Sequence, residues 1–414
     1  MNLLRSLSTP GAPPFYARLF LDVLRRIRVG HLTVATPGGA QYVFGDPHQP
    51  PGATLRVLDW RACRAILRAG DIGLAEAYRA QWIDCPDLVA LLRLALRNEA
   101  AVSRTVHGGR LEQVWYNLRH RLRMNSRRGS RRNIHAHYDI GNAFYGQWLD
   151  ETWTYSSAWF DGDRTLTLAA AQRAKYQRIV DTLGLKPGMR VLEVGCGWGG
   201  FAMHAARCGI HVHGITISAS QHEFAAECIR REKLDNLARI ELRDYRDYLD
   251  DRDSGDSRDL RGRYDAIVSI EMFEAVGEAY WPTWFRMLRA CLAPNGRALV
   301  QTITIDESRF AAYRATSDFI REFVFPGGML PSPERFMRAA GEAGLVAQPS
   351  LSFGLDYAYT LRLWREAFES RLDAVRALSL DETFVRTWRL YLAYCEAGFE
   401  EQRTDVVQFV VTHA

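Results

Sequence analysis

Apolar positions along this chain follow two rhythms. Near the start, Phe15, Leu19, Val23 and Ile27 recur at helical spacing with arginines on the opposite face, the pattern of a basic amphipathic helix over 15–28. Short β-branched runs at His31 to Ala35 and Gln41 to Phe44, turned by Pro37-Gly-Gly, predict a hairpin, and Leu55 to Leu58 predicts a third strand. Helical patterns then cover 60–69, 74–82 and 86–98. A further long helix is expected over 166–184, stopped by Gly184-Leu-Lys-Pro-Gly188. Beyond it apolar runs at 190–194, 212–215, 238–242, 264–270 and 297–305 alternate with helical stretches. That alternation means a doubly wound parallel sheet, with ligands at the carboxyl ends of its strands. Residues 247–263 are too polar to pack and read as a surface loop. Helices near 358–376 and 381–397 and a strand from Val406 to Val411 close the chain. The expected division is a small α+β domain over 1–100, a connector over 101–133 and an α/β domain over 134–414.

One stretch carries the chemistry of the α/β domain. The strand Val191 to Val194 runs into Gly195-Cys-Gly-Trp-Gly199, and a helical pattern leaves it at Phe201. Glycines there let the backbone press against a ligand, and the helix start offers unpaired N–H groups. Gly195, Gly197 and Gly200 also fit the spacing of dinucleotide sites, but two features argue against NAD. Glu193 would oppose a pyrophosphate, and the second strand ends in Thr216-Ile-Ser-Ala-Ser-Gln221 without an acid for a ribose. An acid before the turn suits a cationic ligand, and S-adenosylmethionine carries both an amine and a sulfonium.

Charge is unevenly placed. Residues 104–132 hold nine arginines against the single acid Glu112, more than the whole net charge of +5. An anionic surface is the expected partner. Nucleic acid and anionic lipid both fit, and a solvated linker is the plain alternative. Seven cysteines without a C-x-x-C pair fit reduced thiols in a cytosol and give no metal signature. No apolar run is long enough to span a bilayer, and the start lacks a signal-peptide core, so a cytoplasmic protein is expected.

Several blocks together resemble the cyclopropane-fatty-acid synthase family, whose relatives include the mycolic acid cyclopropane synthases. They are His137-Tyr-Asp-Ile-Gly-Asn142, Tyr155-Ser156, the 191–199 turn, Gly214-Ile-Thr-Ile-Ser218 with Gln221, Asp244-Tyr-Arg-Asp247, Met272-Phe-Glu-Ala-Val-Gly277, Phe325-Pro-Gly-Gly-Met-Leu-Pro331 and Phe353-Gly-Leu-Asp-Tyr357. The resemblance covers about 134–411. It implies a class I methyltransferase Rossmann-like fold with helical lid insertions, and S-adenosylmethionine as donor. It also implies unsaturated acyl chains of membrane phospholipids as acceptors, peripheral membrane association and a homodimer. The expected product is a cyclopropane ring or, alternatively, a methyl or methylene branch. A small-molecule O- or N-methyltransferase is disfavoured by the basic connector and the amphipathic first helix, an inactive lipid-surface module by the intact glycines with Glu274 and Tyr357, and a nucleic-acid methyltransferase by the lack of a base-flipping signature.

Cofactor contacts implied by the resemblance fall on Tyr155, Ser156, Glu193, Gly195, Cys196, Gly197, Trp198, Gly199, Thr216, Gln221, Asp244 and Tyr245. Methyl transfer to an alkene leaves a carbocation, which aromatic faces stabilise; Tyr138, Trp159, Phe160 and Tyr357 are candidates. Forming the final product then needs a base, and the family holds a bicarbonate for that purpose. Carried over, Glu274 matches the glutamate, Tyr357 the tyrosine, Ile303 the main-chain contact and Cys395 a cysteine on the late helix. Two positions depart from the family pattern. Tyr155-Ser156-Ser157 stands where Tyr-Ser-Cys is usual, and Gln301-Thr302-Ile303 where His-Thr-Ile is usual. Gln301 and Ser157 can still donate to an anion, but neither supplies a titratable imidazole. The expectation is an anion held by Glu274, Gln301, Ser157, Ile303 and Tyr357, with bicarbonate as its occupant.

Overall fold

The computed structural model describes residues 13–101, 140–250 and 263–414. The expectations for the connector 101–133, its arginines and Tyr138 therefore lie outside the described residues, Ala101 apart. Of those described, 13–101 and 381–397 form one compact unit, and 140–380 and 398–414 the other.

In the first unit, β1 (His31–Ala35), β2 (Gln41–Gly45), β3 (Gly52–Val57) and β4 (Ile83–Asp84) form a sheet of order β2-β1-β3-β4. The hairpin β1–β2 is antiparallel, and β3 runs parallel to β1. The first helix spans Phe15–Leu24 and turns a different face inward than its spacing suggested. Ala17, Phe20, Val23 and Leu24 are buried, while Phe15 is 74% and Leu19 40% exposed. Apolar residues populate both flanks of this helix, so packing and not periodicity chooses the buried one. The patterns over 60–69 and 74–82 merge into one helix, Arg61–Arg79, bent where Gly70 adopts φ 58°. Residues 381–397, expected with the large domain, belong to this unit through the buried Arg386. Its guanidinium donates to the carbonyls of Tyr78 (2.5 Å) and Ile83 (2.8 Å) and lies 3.8 Å from the Tyr78 ring centroid. It thereby satisfies an acceptor in the last turn of the Arg61–Arg79 helix.

The second unit is an α/β sandwich of seven strands: β5 (Arg190–Val194), β6 (His211–Thr216), β7 (Ala238–Leu242), β8 (Tyr264–Ile270), β9 (Leu292–Ile305), β10 (Leu345–Ser352) and β11 (Thr404–His413). Their order is β10-β11-β9-β8-β5-β6-β7. The five strands from β9 to β7 run parallel, and β11 is antiparallel to both β9 and β10. Alternate residues of one strand feed opposite layers. Leu192 and Val194 of β5 join the cluster around Trp284, Phe285 and Phe336, whereas Val191 joins the one around Ile179, Phe201 and Ile229. Such a strand, buried on both faces, reads as an apolar run, interrupted here only by the buried Glu193, which is why the sequence marks it clearly. Strand order reverses between β5 and β8, and the carboxyl ends of those two strands define the crevice where ligands bind in such sheets. Helices Glu307–Ala315 and Phe319–Phe323 are inserted after β9. They are anchored by Arg321, whose buried guanidinium donates to the carbonyls of Tyr313 and Thr316.

The polar stretch 247–263 contains a short helix at Asp247–Asp250, and 251–262 lie outside the described residues.

Candidate active site

The glycine turn after β5 is built as a cradle. Gly195, Gly197 and Gly199 all have positive φ (81°, 52° and 86°). Their surroundings differ. A Cβ on Gly195 would meet Met272 Cγ at 2.5 Å, but one on Gly197 would meet nothing within 4 Å. Gly195 thus lets β8's outgoing chain pack against the turn, and Gly197 leaves room for a ligand. The carboxylate of Glu193 accepts from the Ala202 amide of the following helix, and burial pushes its pKa up to about 8. Its other oxygen, and the buried Tyr245 hydroxyl, have no protein partner. An open space over Gly197 and an orphaned carboxyl oxygen fit the amine-bearing end of S-adenosylmethionine.

The other expected cofactor residues surround this turn. Ser156 accepts from the buried Lys175 Nζ at 2.6 Å. Tyr155 sits among Tyr145, Trp148 and Trp364, with ring centroids 5.4 to 5.5 Å away. The Trp198 indole donates to Asn142 Oδ1 at 2.8 Å. Cys196 is buried and its thiol is held protonated. Thr216 donates to Gln221 Oε1 (3.0 Å), and Ser218 caps the helix that carries Gln221. Asp244 accepts from the backbone N–H, Nε and Nη2 of Arg246, so its carboxylate also shapes its own turn.

A second cluster lies beside the cradle, and its centre is a residue that the sequence reading did not single out. Glu271 directly follows β8. Its Oε1 accepts from the Ser157 amide (2.8 Å) and from Gln301 Nε2 (2.8 Å), and its Oε2 accepts from the Tyr357 hydroxyl (2.6 Å). The next carboxylate, Glu274, accepts from the Ile303 amide at 2.6 Å, and its second oxygen is buried without a partner. Burial, and then the neighbouring Glu271, push Glu274 up to about 8. Burial also raises Glu271, opposed first by Lys175. Lys175 itself is lowered to about 7 by burial, against the pull of Glu271, Asp150 and Glu193.

The structure therefore brings Ser157, Gln301, Tyr357, Ile303 and Glu274 together, but not around a separate anion. Of the groups expected to hold bicarbonate, Gln301, Tyr357 and the Ile303 amide donate to carboxylates of the chain, whereas the Ser157 hydroxyl donates to the Ala158 carbonyl and only that residue's amide reaches Glu271. A further anion would face two carboxyl groups. Bicarbonate does not fit this donor set. Of the aromatic candidates, Phe160 is fully buried against Tyr359, whereas Tyr357 belongs to the cluster. Cys395 belongs to the 381–397 segment of the first unit. Among the described residues no group suited to a metal ion is found. A sequence signal for Glu271 does exist: an acid placed directly after an apolar strand run, at the carboxyl end of a parallel strand.

Residues 125–409 match the model of the family described as mycolic acid cyclopropane synthetase. The chain belongs to that family. It is 38% identical over 356 residues to tuberculostearic acid methyltransferase UfaA1 of Mycobacterium tuberculosis, covering 84% of this chain and 80% of that one. It is 33% identical over 368 residues to cyclopropane-fatty-acyl-phospholipid synthase of Escherichia coli, covering 86% and 87%. Among solved structures, mycolic acid cyclopropane synthase CmaA1 complexed with SAH and CTAB aligns with a TM-score of 0.59 at 31% identity, over 68% of this chain and 97% of that one. This mycolic acid cyclopropane synthetase homologue is thus an S-adenosylmethionine-dependent methyltransferase with a class I fold, from a family acting on lipid acyl chains.

Proposed function

We propose that this enzyme adds a one-carbon unit from S-adenosylmethionine to the double bond of unsaturated acyl chains in membrane phospholipids. The observation that carries the reading is a cofactor cradle and a buffered pair of carboxyl groups at the ends of adjacent strands β5 and β8, joined by the contact of Met272 with Gly195. When bound, S-adenosylmethionine supplies an electrophilic methyl group on a sulfonium. The chain's own residues do the rest. Gly197 gives the donor room, and Glu193 offers its free oxygen to an amine. Tyr155 and its aromatic neighbours form a dry wall that favours a cationic reaction centre over water. A proton acceptor is then needed at the carbon skeleton, since an alkene, unlike an amine or hydroxyl, brings no proton on a heteroatom.

Two endings share this first step: a cyclopropane ring, and a methylene- or methyl-branched chain that keeps one double bond. The resemblance favours the ring. The 38% identity to a tuberculostearic acid methyltransferase and the replacement of the usual His and Cys by Gln301 and Ser157 favour the branched ending. The basic connector and the exposed Phe15 and Leu19 suit contact with an anionic membrane surface, without nucleic acid as partner, by a cytoplasmic, peripheral and homodimeric enzyme. No helix among the described residues is long and apolar enough to cross a membrane. Lipid mass spectrometry of cells with and without the protein tests the reading. Unsaturated phospholipids should gain the mass of one CH2 group in the acyl fragment; a gain in the head group, or none, refutes it.

A further inference from the structure

The carboxylate of Glu271 stands where the resemblance reserves space for a bound anion. Three donors converge on it, from the Ser157 loop, β9 and the Gly354–Ser370 helix. Their direction is fixed by chemistry. Arg178 can only donate, and it donates to Gln408 Oε1 at 2.6 Å. Gln408 therefore turns its Nε2 to Gln301 Oε1 (3.0 Å), and Gln301 turns its own Nε2 to Glu271. The relay ends on an acceptor. Glu271 also has φ 51°, a conformation that side-chain-bearing residues rarely adopt. Its neighbour Met272 packs against Gly195, which places the carboxylate beside the cradle.

We propose that Glu271 is the proton acceptor of the methyl-transfer reaction, a base built into the chain in place of a bound bicarbonate. The inference rests on the function proposed above. The alkene's π pair forms the new C–C bond to the sulfonium's methyl carbon, and the C–S pair stays on sulfur. The electron-deficient carbon is then quenched when a C–H bond of the new methyl group gives its electron pair to carbon and its proton to Glu271 Oε2. Oε2 carries one hydrogen bond where Oε1 carries two. With direct attack the pair closes a ring; after a hydride shift it forms a methylene group. Either way Glu271 becomes a neutral carboxyl.

Purified wild type, Glu271→Gln and Glu271→Gly decide the matter, with calorimetric SAH affinity as the control for folding. Glycine suits the backbone at φ 51° and empties the donor pocket. Glu271→Gln should lose roughly 100-fold or more in turnover, as for the loss of a general base, with SAH binding kept. Glu271→Gly should lose as much and be rescued by added formate or bicarbonate, while wild type is indifferent to bicarbonate removal. Turnover of Glu271→Gln within tenfold of wild type, or a wild type that stalls without bicarbonate, overturns the proposal. Should wild type leave unsaturated phospholipids unchanged, the proposed function fails, and formate calorimetry on SAH-loaded protein still decides the site. Binding to Glu271→Gly and not to wild type supports Glu271 as the built-in anion; equal binding to both overturns it.

Discussion

Replacing Gln301 by Leu would cut the relay at its last link. The variant removes one of three donors to Glu271 and strands the Gln408 amide, which now donates to Gln301. A hydrogen bond to a charged group contributes roughly 1.5–3 kcal/mol net. At about 1.4 kcal/mol per pK unit, its loss should raise Glu271 by about one to two units. The stranded donor should cost stability of about 1–3 kcal/mol, visible as a lower melting temperature. Free-enzyme bases appear in the acid limb of kcat/KM against pH. That limb should move upward by about one to two units in Gln301→Leu, with calorimetric SAH affinity unchanged. Gln301→His should restore the profile, because a neutral imidazole donates to Glu271 through one nitrogen and accepts from Gln408 through the other. An unmoved acid limb in Gln301→Leu would show that the Gln301 amide does not hold Glu271 in its ionised form.

Gly197→Val should abolish SAH binding in a folded protein, since its backbone is left-handed and the space over it is open; normal affinity by calorimetry would place the cofactor elsewhere. Glu274 keeps its proton up to about 8 in the folded chain against an ordinary 4.5, so folding binds an extra proton between those values and stability falls as pH rises through them. Glu274→Gln should therefore melt like wild type near pH 4.5 and higher near pH 8, and parallel slopes would contradict the shift. Neutral replacements of Arg127, Arg128, Arg131 and Arg132 should weaken binding to anionic vesicles, by about 1 kcal/mol for each residue at the surface, and flatten its salt dependence; unchanged binding would make the stretch a linker.

What the sequence made legible was local. The strand, glycine turn and helix at 190–207 lie within one short window, and strands buried on both faces announce themselves as apolar runs. The Glu271 cluster is different, because its members at 157, 175, 271, 301, 357 and 408 are far apart in sequence. They come from a loop, two helices and three positions in or directly after strands, of which only those last three are set by sheet register. Ile270 pairs with Gln301 on β8 and β9, and Gln301 with Gln408 on β9 and β11. Motif reading stopped one residue short, at Met272, and assigned the same donors to an outside anion. Strand β10 escaped notice because it is an edge strand interrupted at Pro349, with a register shift and several exposed positions. For the first helix, two apolar flanks left the buried face undetermined until packing chose it.

The most direct test of the account uses purified enzyme, vesicles of a monounsaturated phospholipid and S-adenosylmethionine carrying a CD3 methyl group. Product lipids are hydrolysed and their acyl chains and head groups weighed separately by mass spectrometry. The acyl chain should gain the mass of a CD2 group, one deuteron having passed to the base, and saturated lipids should gain nothing. A label found in the head group, or equally on saturated chains, would contradict addition to the double bond.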